Sequence, residues 1–208
     1  MAKAWSEQTL IRFLEKHDIP VSAYGAGHAK TVKDLLASIR DGEIILRKPG
    51  AFAKKRKGGR RISPLLLCSK VKVDIFCDAD PDGQVRYLVE GSQLLNGERR
   101  ERSWRRSLSE KVAPGESIFH AAKRGMEEEL GLAFDQETEP RLSCYDEYIA
   151  SARESNSFPG FRVAGPRARL VTMLHPSLYV REGYDEHKDG EIRTHFGWKL
   201  ASDVWDMR

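Results

Sequence analysis

The segment "APGESIFHAAKRGMEEELGL", residues 113–132, constrains the fold more than any other. Ile118, Ala122, Met126 and Leu130 recur every four residues, the spacing of a helix that buries one face. Pro114-Gly115 breaks the chain before it, and Gly131 stands where a helix ends in a left-handed cap. Strand patterns lie on both sides. Upstream, "LLLCSKVKVDIFC" alternates Val71, Val73 and Ile75 with Lys72 and Asp74, and "VRYLVEGSQLL" returns after an Asp-Gly turn, so 71–95 predicts a hairpin. Downstream, "RLSCYDEYIASA", "RLVTMLHPSLYV" (broken at Pro176) and "RTHFGWKL" read as strands. "RESNSFPGFRVAGPRA" and the acidic "REGYDEHKDGEI" read as loops, and "RRERSWRRSLSEKV" is open between strand and loop. One amphipathic helix among strands, without βαβα alternation, predicts an α/β chain with a mixed sheet, not a doubly wound one.

Two short amphipathic helices come first. Ser6 caps the first, which runs to about His17 with Leu10, Ile11, Phe13 and Leu14 inward. Thr31 caps the second, Asp34 completes a capping box, Val32, Leu35, Leu36 and Ile39 form its stripe, and Asp41-Gly42 ends it. Residues 1–47 are therefore expected to be a small helical accessory domain, 48–64 a basic linker, and 65–208 the main domain. No catalytic signature lies in the helical part.

The charge is uneven. Residues 47–61 carry eight Lys/Arg and no acid, and 99–106 carry five Arg against one Glu. Such patches attract polyanions, nucleic acid among them, but a solvated basic linker has the same composition. No apolar run is long enough to span a bilayer, and "MAKAWSEQTLIRFLEKHD" holds no uninterrupted apolar stretch of a secretory signal. Cys68, Cys77 and Cys144 are sparse, odd in number and without a CxxC, which predicts reduced thiols in a cytoplasmic protein and no zinc site.

The polar side of the central helix holds Arg124, Glu127, Glu128 and Glu129. Glu116 sits at its mouth, where a carboxylate suits the helix dipole. Neighbouring carboxylates repel unless a cation lies among them, and Mg²⁺ takes a few carboxylates together with water and phosphate oxygens. The plain alternative is a solvated face, with Lys123–Glu127 and Arg124–Glu128 paired one turn apart.

The stretch resembles the Nudix box, G-x5-E-x7-R-E-U-x-E-E-x-G-U with U a bulky aliphatic. Glu116, Arg124, Met126, Glu128, Glu129, Gly131 and Leu132 fall on its defined positions at the right spacing. Two positions depart: Glu110 stands at the opening glycine, and Gly125 where the glutamate after the arginine belongs. The resemblance covers about 65–208. It implies a Nudix-like α/β/α sandwich with a mixed sheet, and Mg²⁺ or Mn²⁺ on Glu128 and Glu129 with Glu116 assisting. Arg124 would hold the carboxylates in place. The activity implied is cleavage of a diphosphate bond in a nucleoside diphosphate linked to another moiety. The ligand would be a phosphorylated small molecule or nucleotide.

Gly125 removes a residue that in many members binds metal and activates water. Some members supply the base from a downstream loop, and Glu182, Asp185, Glu186, His187 and Glu191 are candidates here. Arg102, Arg105 and Arg106 are candidate phosphate contacts; an exposed charged strand is the alternative. Trp104 and Trp198 suit base stacking or a core rim, and His120 is expected to face solvent. A second function remains open: a catalytically impaired Nudix domain that binds a nucleotide, a polyphosphate or a macromolecular partner.

Overall fold

The computed structural model describes residues 5–27, 29–47, 63–78, 82–95, 98–106, 108–188 and 191–205. The elements are α1 (Glu7–Lys16), α2 (Val32–Arg40), β1 (Ile45–Arg47), β2 (Leu65–Leu67), β3 (Lys70–Cys77), β4 (Arg86–Leu95), β5 (Glu98–Arg106), β6 (Leu108–Lys111), α3 (Ile118–Leu130), β7 (Ser143–Glu154), β8 (Arg162–Met173), β9 (Tyr184–Lys188), β10 (Glu191–Leu200) and α4 (Ala201–Trp205). They belong to two compact units. One comprises residues 1–69, 111–115 and 149–166; the other 70–110, 116–148 and 167–208. Most of the basic stretch at 48–64 falls outside the described residues.

The first unit is built on α1 and α2. Ser6 Oγ accepts from the Thr9 amide, and the Thr9 hydroxyl accepts from the Ser6 amide in return. Thr31 and Asp34 form the same reciprocal box on α2. These caps satisfy amide groups that the first turn of a helix leaves unpaired. The inward residues Leu10, Phe13, Leu14, Leu35 and Leu36 pack with Leu66, Cys68, Phe158 and Phe161. Phe13 stacks on Phe161 with centroids 6.4 Å apart. β2 runs antiparallel to β1 and parallel to the start of β8, Leu66 opposite Val163. The Tyr24 hydroxyl donates to the Pro159 carbonyl at 3.0 Å, and Lys111 Nζ donates to Ser38 Oγ at 3.0 Å.

The second unit holds a mixed sheet and the central helix. β3 lies parallel to the end of β8, from Lys70 opposite Arg167 to Phe76 opposite Met173. It meets β4 antiparallel at Phe76–Tyr87 and Cys77–Arg86, so the expected hairpin partner is correct. One edge of β4 carries β10, and the other passes from β3 to β5. β10 also pairs antiparallel with β9. On β3 the residues Val71, Val73, Ile75 and Cys77 are buried and their neighbours are half-buried, the period of a strand with one face on the core. α3 packs against β3 and β9. Its buried residues are Ala121, Ala122, Gly125, Met126 and Leu130, a broader stripe than the four-residue spacing indicates.

Both segments expected to be loops contain strand. Arg162–Ala168 opens β8, despite Gly165 and Pro166, because it pairs with β2 and then β3. The acidic 184–188 run is β9, an edge strand with charged side chains, a common defence of sheet edges. The basic 98–106 segment is the strand β5. The architecture is α/β with a mixed sheet. Among the described residues no helix is long and apolar enough to cross a membrane.

Candidate active site

The site is assembled on α3. Ser117 is its N-cap, its Oγ accepting from the His120 amide at 3.1 Å. Glu116 therefore stands one residue outside the helix. Gly131 closes the other end at φ 65°, the left-handed cap the sequence indicates. His120 is exposed, as expected, and so is Glu127.

Arg124 is the hub of the polar face. Its Nε donates to Glu116 Oε1 at 3.0 Å and its Nη2 to Glu116 Oε2 at 3.1 Å. Its Nη1 reaches Glu128 Oε2 at 3.3 Å and lies 3.6 Å from Glu110 Oε1. The Glu116 hydrogen bonds, aided by the Glu110 and Glu128 charges, push its guanidinium still further up its basic range. The Arg124–Glu128 pair is the one expected from the sequence. Lys123 instead closes on Glu139 Oε2, at 2.6 Å.

Glu129 has the most perturbed carboxyl on the helix. It is partly buried, and its pKa is pushed up from 4.5 to about 8. Burial is the largest cause, followed by the charges of Glu186, Glu110, Glu90 and Glu128. These come from different elements. Glu186 lies on β9 and accepts from the Thr194 hydroxyl at 2.6 Å. Glu110 lies on β6, and Glu90 on β4 beside a bulge at Gly91, a device that re-aims neighbouring side chains. Carboxylates are hard oxygen donors, the type Mg²⁺ and Mn²⁺ take, and a divalent cation would offset both the burial and the repulsion that keep the Glu129 proton on. Among the described residues, no three His, Cys, Asp or Glu stand close enough as placed to hold a metal ion. The carboxylates thus share an electrostatic neighbourhood without meeting at ligand distance.

The sequence-predicted residues divide as follows. Arg124 joins Glu116 and Glu128, with both Glu116 oxygens taken by Arg124, while Glu129 is linked to Glu128 only through its charge. Arg105 lies opposite Glu90 and Arg106 opposite Val89 in the β4–β5 register. The side chains of Arg102, Arg105 and Arg106 lie outside the described residues, as do those of Trp104 and Glu191. Of the downstream acids, Glu186 acts on Glu129, whereas Asp185 pairs with His195 Nδ1 at 2.7 Å. Alternation along β9 explains the split. Trp198 Nε1 donates to the Val180 carbonyl at 2.8 Å, and its ring meets Tyr179 and Tyr184, which makes it a rim residue. Glu90 and Glu110, whose charges act on Glu129, are not among the residues the sequence singles out as candidates. Glu110 had a signal, its place at the opening of the box; Glu90 had none.

Gly125 is enclosed. A β-carbon there would lie 2.7 Å from Leu108 Cδ2, 3.1 Å from Glu110 Cβ and 3.3 Å from Glu110 Cγ. Leu108 is itself buried.

No protein-family model and no curated protein sequence matches the chain. Solved structures overlap it at low similarity. A Listeria monocytogenes protein assigned to the NUDIX hydrolases is 15% identical, with 66% of this chain and 81% of that chain covered and a TM-score of 0.42. The NUDIX domain of Shewanella oneidensis NrtR, solved with ADP ribose, is 11% identical, with 67% and 77% covered and a TM-score of 0.37. A MutT/nudix family protein from Enterococcus faecalis is 11% identical, with 94% of this chain but 57% of that chain covered and a TM-score of 0.41. All three scores are below 0.5, and the likeness extends no further than these figures.

Proposed function

We propose that this chain is a Nudix-type, metal-dependent hydrolase. Its reaction would be cleavage of the phosphoric anhydride in a nucleoside diphosphate linked to another moiety. The observation that carries the reading is Glu129: a partly buried carboxyl that feels the charges of four others, at the end of a helix with box spacing. Glu128 and Glu129 would hold Mg²⁺ or Mn²⁺, with Glu116 beside them. The bound cation would neutralise phosphate charge and lower the pKa of a bound water.

The chain's own residues have separate tasks. Arg124, fixed by Glu116, orients Glu128 and offsets part of the carboxylate repulsion. Glu129 keeps its proton near neutral pH, and a cation held there would displace it. Glu186 is the favoured acceptor for the proton of the attacking water, since among the described downstream candidates it is the one whose charge acts on Glu129, from β9. Arg102, Arg105 and Arg106 are proposed to meet the substrate phosphates. Three free cysteines, two of them buried, suit the reducing cytoplasm.

A second reading rests on Gly125: a domain that binds a nucleotide or a macromolecular partner without cleaving it. One experiment separates the two. The protein is incubated with Mg²⁺ or Mn²⁺ and nucleoside diphosphate derivatives, dinucleoside polyphosphates or capped RNA, and products are resolved by chromatography. Release that disappears in Glu129→Gln is the expected result. No release, with a ligand still raising the melting temperature, replaces hydrolysis by binding.

A further inference from the structure

The two departures from the box, Glu110 and Gly125, are spatial neighbours. They lie fifteen positions apart in the chain, one on β6 and the other on α3. The Glu110 Cβ and Cγ lie 3.1 and 3.3 Å from the point where a side chain at 125 would begin. Glu110 is mostly buried, its side chain 18% exposed, and its carboxylate lies 3.6 Å from Arg124 Nη1. A carboxylate has been gained at one position and lost at the other, in one place.

We infer that Glu110 crosses the bare backbone of Gly125 and supplies, from the strand, the carboxylate that the helix lacks at the cation site. The inference rests on the proposed metal-dependent reading. Three observations favour it. The space is occupied, because the first carbon of a glutamate at 125 would clash with Leu108 Cδ2 and crowd Glu110 Cβ and Cγ. The orientation is right, because Arg124 addresses Glu110 and Glu128 with the same nitrogen. The group is sheltered, because the Glu110 side chain is only 18% exposed. Gly125 is then a fitted part of the site, not a gap in it.

Mn²⁺ binding tests this without requiring a substrate. Free Mn²⁺ is followed by electron paramagnetic resonance, and melting temperature is measured with Mn²⁺ and with chelator. Glu110→Gln keeps the shape, so its melting in chelator should match or exceed wild type, while Mn²⁺ affinity falls about tenfold or more. Glu129→Gln should weaken Mn²⁺ binding as well. Gly125→Glu alone should melt lower and gain no affinity; combined with Glu110→Gly and Leu108→Ala, which clear both contacts, it should recover most of the Mn²⁺ affinity that Glu110→Gly loses. Wild-type Mn²⁺ affinity in Glu110→Gln, with Glu129→Gln impaired, overturns the role of Glu110 and leaves the metal site standing. Indifference of both variants overturns the metal-dependent reading and this inference together.

Discussion

Arg124 holds Glu116 with a two-pronged ion pair, Nε to Oε1 at 3.0 Å and Nη2 to Oε2 at 3.1 Å, from eight residues further along the chain. A planar guanidinium matches both carboxylate oxygens at once, which an ammonium cannot do. Arg124→Lys keeps the charge and loses the fork. Because the side chain is about a third exposed, the stability cost should be small, about 1 kcal/mol or less. The effect on the site should be larger: Mn²⁺ affinity and kcat/KM each fall about tenfold or more as the carboxylates lose their orientation. Urea melts beside Mn²⁺ titrations check this. A variant with wild-type affinity and turnover would remove Arg124 from the site.

Glu129 makes the metal-free protein sensitive to pH in a defined direction. Its folded-state pKa of about 8 lies above the ordinary 4.5, so between those values the folded state binds the extra proton. Stability from this group is present at low pH, declines as pH rises through that window, and levels off above about 8. Glu129→Gln should flatten that slope. On the proposed metal-dependent reading, cation binding would expel the proton, so Mn²⁺ should stabilise wild type more at pH 8 than at pH 6. Melting temperature against pH, with chelator and with Mn²⁺, measures both trends.

Gly125→Ala sets two effects against each other. In an open helix interior the alanine gains about 0.5–1 kcal/mol. Here the added carbon meets Leu108 Cδ2 at 2.7 Å and Glu110 Cβ at 3.1 Å, and overpacking a core costs about 1–3 kcal/mol. Overpacking wins, so the substitution should lower stability by about 1 kcal/mol. Leu108→Ala in the same chain should make the alanine at 125 neutral or favourable, a coupling that a double-mutant cycle in urea quantifies.

Gly183 is another position that excludes a side chain. Its φ is 96°, and a β-carbon there would lie 1.9 Å from the Phe196 carbonyl oxygen. Gly183→Ala should destabilise by more than about 1 kcal/mol. Since the residue precedes β9, it should also displace Glu186 and reduce turnover. Equilibrium unfolding together with single-substrate kinetics checks both. Unchanged turnover in a folded variant would separate β9 from the site.

Local features were legible in the sequence; pairings between distant segments were not. The reciprocal caps at Ser6 and Thr31, the stripe of α3 and the cap at Gly131 each depend on a few consecutive residues. β9 is masked by its own composition, since "YDEHK" has no apolar face and becomes a strand only through β10. The first half of β8 is masked by Gly165 and Pro166, and its strand character comes from β2 and β3. The site follows the same division. Arg124, Glu128 and Glu129 share one helix and could be read together. Glu90, Glu110 and Glu186 act on Glu129 through their charges from three strands, a relation that no spacing records. Gly125 looked like a loss in the sequence because the residue filling its space lies on another element.

Each compact unit draws on stretches of chain that alternate with those of the other, and this limits how the molecule can be shortened. Phe158 and Phe161 belong to the same apolar cluster as Leu10, Leu14 and Leu35, although more than a hundred residues intervene. Trimming the first helices to isolate the helix-and-sheet portion would strip those phenylalanines of their neighbours and leave a sticky patch. No single cut yields a self-contained half. An expression fragment that begins after the basic stretch should therefore be recovered as aggregate, where a conventional N-terminal appendage would come away cleanly.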